Sequence, residues 1–355
     1  MTLLPLQAHH DQAQETLPPE VYEYYASGAG AELTLQEQEQ AWARFRLRPR
    51  VLRDVSTVDL TTTLLGTPFS SPVAVAPAAF QQLAHPDGEL AVARAARATG
   101  SLYVCSTRAS RPLEDVAAAA DGPWWFQVYN MRDRDLTAAL VRRAAAAGAR
   151  ALVVTGDTPV VGIKRRVSGT RISVPDDSYL VNLERHLAGL PATAARAAAE
   201  QDPSATVDVV GWLREISDLP VLVKGVLRGD EAVRCLDAGA AGVVVSNHGG
   251  RQLDRAVPSA LALAEVVRAV DGRGPVLVDG GVRSGLDCLV ALALGAAAVL
   301  VGRPVVWGLA ADGATGAAAA LTALTDDLAH VMALTGAASL AELDPSLVVP
   351  PATGW

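Results

Sequence analysis

Cysteine is scarce in this chain: Cys105, Cys235 and Cys288 are all it has. An odd number with no CxxC spacing gives neither a disulfide framework nor a zinc-ligand pattern. All three lie in apolar stretches, so buried thiols in a reducing cytoplasm are expected. A Lys/Arg-rich tract is also missing, and 30 basic against 38 acidic residues leave a net charge of -8. That balance argues against nucleic acid or an anionic membrane as partner, and any anionic ligand must meet a local concentration of basic groups. The longest apolar run, 288–302, falls short of the ~18–20 residues of a membrane span. It also contains Gly295, which reads as a helix end before a strand. The opening MTLLPLQAHHDQ lacks the basic and apolar regions of a signal peptide. No G-x-G-x-x-G follows the first predicted strand, where VAPAAF stands at 75–80, so a dinucleotide-binding open sheet is not expected.

Half of the 355 residues are hydrophobic and 19% are charged, a globular composition with ample core material. Short β-branched runs alternate with Ala-rich amphipathic stretches. The runs at 73–76, 102–105, 124–128, 151–155, 221–223, 242–245, 276–278 and 299–301 are nearly continuous in apolar residues, as strands covered on both faces should be. Helical stretches at 87–99, 133–147, 229–238 and 259–270 lie between them. Eight strand–helix repeats predict an α/β fold, a (β/α)8 TIM barrel with an N-terminal helical extension. Residues 1–72 read as two helices and a short β-rich segment packed on the barrel, 73–340 as the barrel, and 341–355 as a C-terminal tail. The longest irregular connection, 162–206, is expected to be a lid.

In such a barrel the chemistry belongs at the C-terminal strand ends. There the sequence places Pro77, Ala78 and Ala79, then Ser106, Gln127 with Tyr129, Thr155 with Asp157, Lys224, Ser246 with His248, Asp279 with Gly281, and Gly302 with Arg303. DGGVR at 279–283 and GRP at 302–304 follow the last two strands, where barrels frequently bind phosphate on glycine N–H groups. Arg283 and Arg303 supply charge for the anion. SNHGGRQLD at 246–254 follows strand six. Its imidazole, His248, suits proton abstraction near neutral pH, Arg251 suits a carboxylate, and the two glycines keep bulk low for a ligand's approach.

SNHGGRQLD, together with DGGVR, GRP, VKG at 223–225 and YYASGA at 24–29, resembles the FMN-dependent 2-hydroxy-acid oxidising family, which includes glycolate oxidase, lactate oxidase and mandelate dehydrogenase. The likeness runs from about 17 to about 340. It implies FMN as cofactor and oxidation of a small 2-hydroxy acid, with His248 as base and Asp157 as the carboxylate that orients it. It implies Arg251 as the substrate-carboxylate clamp, and Tyr24 and Tyr129 as hydrogen-bond partners of the substrate. Lys224 is implied near flavin N1. Pro77, Ala78, Ala79, Ser106, Gln127, Thr155 and Ser246 are implied as flavin contacts. Asp279, Gly281, Arg283, Gly302 and Arg303 are implied at the ribityl and phosphate groups. The resemblance also implies a homo-oligomer.

Three departures bear on the substrate. Arg108 stands where the family often has an aromatic wall, and either faces solvent or adds a second anion contact that favours a diacid or another polar substrate. Lys164, with Arg165 beside it, falls where the family carries a second substrate arginine, and the alternatives are that Lys164, Arg165 or neither reaches the substrate. Ala79, expected beside flavin N5, is small, which leans toward oxidase chemistry with O2 as acceptor. A dehydrogenase passing electrons to a quinone or protein, a monooxygenase, a non-redox phosphate-binding isomerase or lyase barrel, and a flavin-binding protein without turnover are the alternatives.

Overall fold

The computed structural model describes residues 4–167, 174–179, 181–183, 187 and 190–351. The chain begins with three helices, α1 (Leu4–Thr16), α2 (Pro19–Ala26) and α3 (Leu33–Ala43), where the sequence predicts two. The additional break falls at 27–32, where Gly30 and Glu32 both have positive φ. Asp254, far along the chain, accepts hydrogen bonds from Ala31 N (2.7 Å) and Thr34 N (3.1 Å), satisfying free N–H groups where α3 starts.

Next come β1 (Arg46–Leu47) and a hairpin, β2 (Thr62–Leu64) and β3 (Thr67–Phe69). Both residues of its two-residue loop, Leu65 and Gly66, have positive φ, the geometry that suits the right-handed twist of paired strands. The barrel follows: β4 (Val73–Val75), β5 (Tyr103–Cys105), β6 (Trp124–Val128), β7 (Leu152–Thr155), β8 (Val221–Val226), β9 (Gly242–Val245), β10 (Val276–Asp279) and β11 (Ala298–Val301). Each strand pairs in parallel with its neighbour in the chain, and β11 closes the barrel on β4 with Val299 opposite Val73.

Around it lie α4 (Glu89–Thr99), α5 (Leu113–Ala120), α6 (Arg134–Ala146), α7 (Asp176–Tyr179), α8 (Ala192–Ala198), α9 (Val209–Ser217), α10 (Gly229–Asp237), α11 (Ser259–Val270), α12 (Gly285–Ala293) and α13 (Arg303–Thr335). The last is long and apolar enough to cross a bilayer, but it breaks at Asp312 and Gly313 and packs against α1, α4 and α12. The stretch 162–206 is less irregular than expected, since it holds α7 and α8; its residues 168–173, 180, 184–186 and 188–189 lie outside the described residues. Nor is 341–355 a free tail. β12 (Val348–Val349) pairs antiparallel with β1, and only 352–355 lie outside the described residues.

Alternation along each strand makes two cores. Trp124 and Phe126 pack outward under the helices, while Trp125 between them points into the barrel. The interior layer is Ala74, Val104, Trp125, Val153, Leu222, Val244, Leu277 and Leu300, and the hairpin's Leu64 and Phe69 pack against it from below. The N-terminal mouth is thus plugged, which leaves the C-terminal mouth for a ligand.

Candidate functional site

The same alternation builds the floor of the site. Two residues beyond each inward side chain stand Ala76, Ser106, Gln127, Thr155, Lys224, Ser246, Asp279 and Gly302, one per strand. Ser106 Oγ (3.2 Å) and Thr107 N (3.1 Å) donate to Gln127 Oε1, and Gln127 Nε2 donates to Thr155 Oγ1 (2.9 Å). Lys224 is 4% exposed; its Nζ lies 2.8 Å from Asp279 Oδ2 and donates to Ser246 Oγ (2.7 Å). Above this floor opens a cavity of about 370 Å³, within the roughly 300–1,000 Å³ of small-molecule and cofactor sites.

His248 sits at the cavity wall with φ +58, a backbone region uncommon for a non-glycine residue. Its N–H donates to Ser246 Oγ (3.0 Å), and its Nδ1 lies 3.0 Å from Asp157 Oδ1. The Thr158 hydroxyl donates to the same carboxylate oxygen (3.2 Å). With its Nδ1 proton directed at Asp157, the ring keeps an Nε2 lone pair free to accept a proton. Burial pushes the Asp157 carboxyl up, but His248, Lys224 and Thr158 outweigh it and hold the group below the usual carboxylate range. A bulge in β8 makes room for this pair: Gly225 has φ +106, and a Cβ there would lie 2.5 Å from Asp157 Cβ.

Of the two glycines after His248, Gly249 lines the cavity, as expected, whereas Gly250 stands outside the lining and makes room for α3. A Cβ on Gly250 would lie 2.9 Å from Leu35 Cα in α3, and one on Gly249 would lie 2.9 Å from Arg303 Nη1. Arg251 Nη1 donates to Ser27 O (3.0 Å) and Tyr25 O (3.2 Å), and its guanidinium lies 5.2 Å from the centre of the Tyr24 ring. Burial pushes the phenols of Tyr24 and Tyr129 up, so both stay protonated hydrogen-bond donors.

Arg303 shares two acceptors with Arg251: it donates to Tyr25 O (2.9 Å) and Ser27 O (3.3 Å), and also to Gly249 O (3.0 Å). Burial, followed by the charges of Arg251 and Arg283, lowers its pKa to about 9. Among the described residues no carboxylate pairs with it. Arg283 beside it bonds Glu39 (2.7 Å) and keeps further N–H capacity. A buried cation without a counter-charge fits an anionic ligand group. Among the described residues Asp279 Oδ1 is buried without a partner, and so fits a ligand hydroxyl. The donors and acceptors therefore fit FMN, whose phosphate the two arginines would hold and whose ribityl hydroxyls would bond Asp279.

Most of the expected site residues line this one cavity: Tyr24, Pro77, Ala78, Ala79, Ser106, Arg108, Gln127, Tyr129, Thr155, Lys164, Lys224, His248, Arg251, Asp279, Gly281, Arg283, Gly302 and Arg303. Asp157 stands behind His248. Ser246 is also behind the wall, fully buried, and acts through Lys224 and His248 rather than at the surface. Arg165 is exposed and outside the lining, so Lys164 is the residue of that pair at the cavity. The solvent-facing reading of Arg108 is overturned, since only 6% of it is exposed.

Other residues escaped the sequence reading. The Tyr25 hydroxyl donates to Phe80 O (2.7 Å) and fixes the loop after β4. The buried Glu89 accepts from Gln81 N (3.0 Å) and Ser110 N (2.9 Å), tying that loop to the one after β5. Gln252 accepts from Gly162 N (2.9 Å), joining the loops after β7 and β9. Tyr179 and Gln201, from the expected lid, also line the cavity. An acidic residue at the start of an otherwise Ala-rich predicted helix was a visible signal for Glu89; nothing local marked the others.

A sequence profile of the family described as FMN-dependent dehydrogenase matches residues 13–350. An L-lactate oxidase of Nostoc sp. is 45% identical over 347 residues, 95% of each chain. A glycolate oxidase of Spinacia oleracea is 44% identical over 340 residues, 94% of this chain and 92% of the relative. A crystal structure of mandelate oxidase superposes with a TM-score of 0.89 at 42% identity, covering 97% of both chains. With its closed barrel and a cavity suited to a flavin phosphate, the chain belongs to the FMN-dependent dehydrogenase family and is an FMN-dependent 2-hydroxy-acid oxidoreductase.

Proposed function

We propose that His248 is the base in the oxidation of a small 2-hydroxy acid to its 2-oxo acid, and that O2 is the final acceptor. The observation that carries this reading is the His248–Asp157 pair on the same cavity wall as Arg251, Tyr24 and Tyr129. Arg251 and Lys164 hold the substrate carboxylate. The two phenols bond the carboxylate and hydroxyl, and His248 Nε2 takes the proton that leaves the substrate. Asp157 stabilises the imidazolium so formed. FMN, when bound, would supply the two-electron acceptor, with O2 as the final oxidant and hydrogen peroxide as its product. Lys224 would place positive charge beside the bound flavin. Pro77, Ala78, Ala79, Ser106, Gln127 and Thr155 would flank the ring, while Asp279, Gly281, Arg283, Gly302 and Arg303 would hold the ribityl phosphate. The small Ala79 and the oxidase names of the relatives favour O2 over a quinone or protein acceptor. We further propose that the protein is a cytoplasmic homo-oligomer. Its cysteines are free and buried, and Val160, Ile163 and Leu253 stand exposed as they would on a surface that a second copy covers.

Anaerobic addition of short 2-hydroxy acids to the purified yellow protein is expected to bleach the flavin, and air to restore it within one turnover time. A flavin that no 2-hydroxy acid bleaches removes the proposal. Recolouring that is slow in air and fast with a quinone replaces the oxidase with a dehydrogenase.

Substrate affinity is also expected to fall at alkaline pH. Burial, then the charges of Arg251 and Arg303, lowers the pKa of Lys164 to about 8. An anion binds the protonated form better, so affinity is full below that pH and drops as the pH rises through it. Lys164→Arg, which stays charged, should abolish the drop; a KM profile from pH 7 to 10 that is unchanged in the variant excludes Lys164 as a carboxylate contact.

A further inference from the structure

We propose that Arg108 binds a second carboxylate of the substrate, so that the preferred substrate is a 2-hydroxy dicarboxylic acid. The inference rests on the oxidase reading above, which sets the first carboxylate at Arg251.

Arg108 is held firmly. Its N–H donates to Ser106 Oγ (3.1 Å), and its carbonyl accepts from Phe80 N (2.9 Å). The side chain turns into the cavity, with its guanidinium 4.8 Å from the centre of the Tyr179 ring; Arg196 lies 4.5 Å from the same ring. One terminal nitrogen donates to the Ala199 carbonyl, while the other, Nη1, is buried without a partner among the described residues. Among the described residues no carboxylate pairs with Arg108.

The charges around the cavity identify what is missing. Asp279 is engaged by Lys224, Asp157 by His248, and Glu39 by Arg283. Lys164, Arg251, Arg303 and Arg108 have no carboxylate partner among the described residues. The flavin phosphate answers Arg303, and the substrate's first carboxylate answers Arg251 and Lys164. Arg108 is left over. A guanidinium withdrawn from water with an unused N–H is costly unless an anion completes it.

Position agrees with this count. Arg251 and Arg108 both exert their charge on the phenols of Tyr24 and Tyr129. A substrate bonded to those phenols therefore has one guanidinium for its reacting end and a second for its tail. The planar fork of arginine suits a carboxylate there, whereas an apolar tail would leave Nη1 unpaired and buried. Tethering Ala199 alone would need only one of the N–H groups.

The test uses the holoenzyme and matched acids: 2-hydroxysuccinate against 2-hydroxybutanoate, and 2-hydroxypentanedioate against 2-hydroxypentanoate, in both enantiomers. The diacid of at least one pair should have a kcat/KM for flavin reduction higher by about 30-fold or more, since a site with a dedicated polar partner discriminates strongly. Arg108→Met should collapse that diacid-to-monoacid ratio toward one. A ratio near one in the unmodified protein overturns the proposal without any variant, and so does a high ratio that Arg108→Met leaves intact. If no 2-hydroxy acid reduces the flavin, the oxidase reading fails separately, and calorimetric binding of the corresponding 2-oxo acids decides on Arg108. Tighter diacid binding that Arg108→Met removes supports it; equal binding of diacid and monoacid overturns it.

Discussion

His248→Asn is expected to leave FMN bound and to slow its reduction by a 2-hydroxy acid by about 10³-fold, within the 10²–10⁴-fold usual for a positioned acid or base. Asparagine is chosen because it tolerates the left-handed backbone that His248 adopts at φ +58, so the loop through Asn247 and Gly250 can stay in place. The asparagine N–H can still donate to Ser246 Oγ, so Lys224 and the floor beneath the cofactor keep their bonds. The change should therefore appear in the rate of bleaching and not in the flavin content or its spectrum. The variant also removes the first of the influences that hold Asp157 low, leaving Lys224 and Thr158 against burial. Stopped-flow absorbance under anaerobic conditions measures the effect. Reduction within tenfold of the unmodified protein would mean that the proton goes elsewhere; a colourless variant would mean that His248 is a cofactor anchor.

The barrel was legible because its determinants are local. Strands buried on both faces need near-continuous apolar runs, and the helices between them need a 3.6-residue period. The site floor was legible for the same reason: once Trp125 or Leu222 points inward, Gln127 and Lys224 must follow on the same side two residues later. What could not be read depends on contacts between distant segments. The third N-terminal helix starts where Asp254 caps it from more than two hundred residues away. Gly250 is required by the approach of α3, not by the ligand that its neighbour His248 suggested. The pairing of β1 with β12 joins the two ends of the chain. Arg108 could be assigned to solvent or to the cavity only once Ala199 and Tyr179, from the long connection after β7, were known to pack against it.

Asp157→Asn gives the second large effect, about 10²–10³-fold in flavin reduction, without removing the base itself. The two side chains have nearly the same shape, and Gly225 leaves the space for either. Their electrical and hydrogen-bonding properties differ. A carboxylate can only accept, so it fixes the His248 proton on Nδ1 and leaves Nε2 free. An amide can turn its NH2 toward Nδ1, which moves the proton to Nε2, where it blocks the acceptor that the substrate needs. The amide also offers no negative charge to an imidazolium. The effect on stability carries a sign that separates it from a simple packing defect. The Asp157 carboxyl titrates below its ordinary range in the folded protein. Its contribution to stability is therefore present above the ordinary carboxylate pKa of about 4 and is lost as pH falls through the lower folded value. Urea midpoints of the two proteins should differ at neutral pH and converge in acid. If the gap stayed constant with pH, or if the variant reduced its flavin at the normal rate, Asp157 would be a packing residue and the base would need no carboxylate behind it.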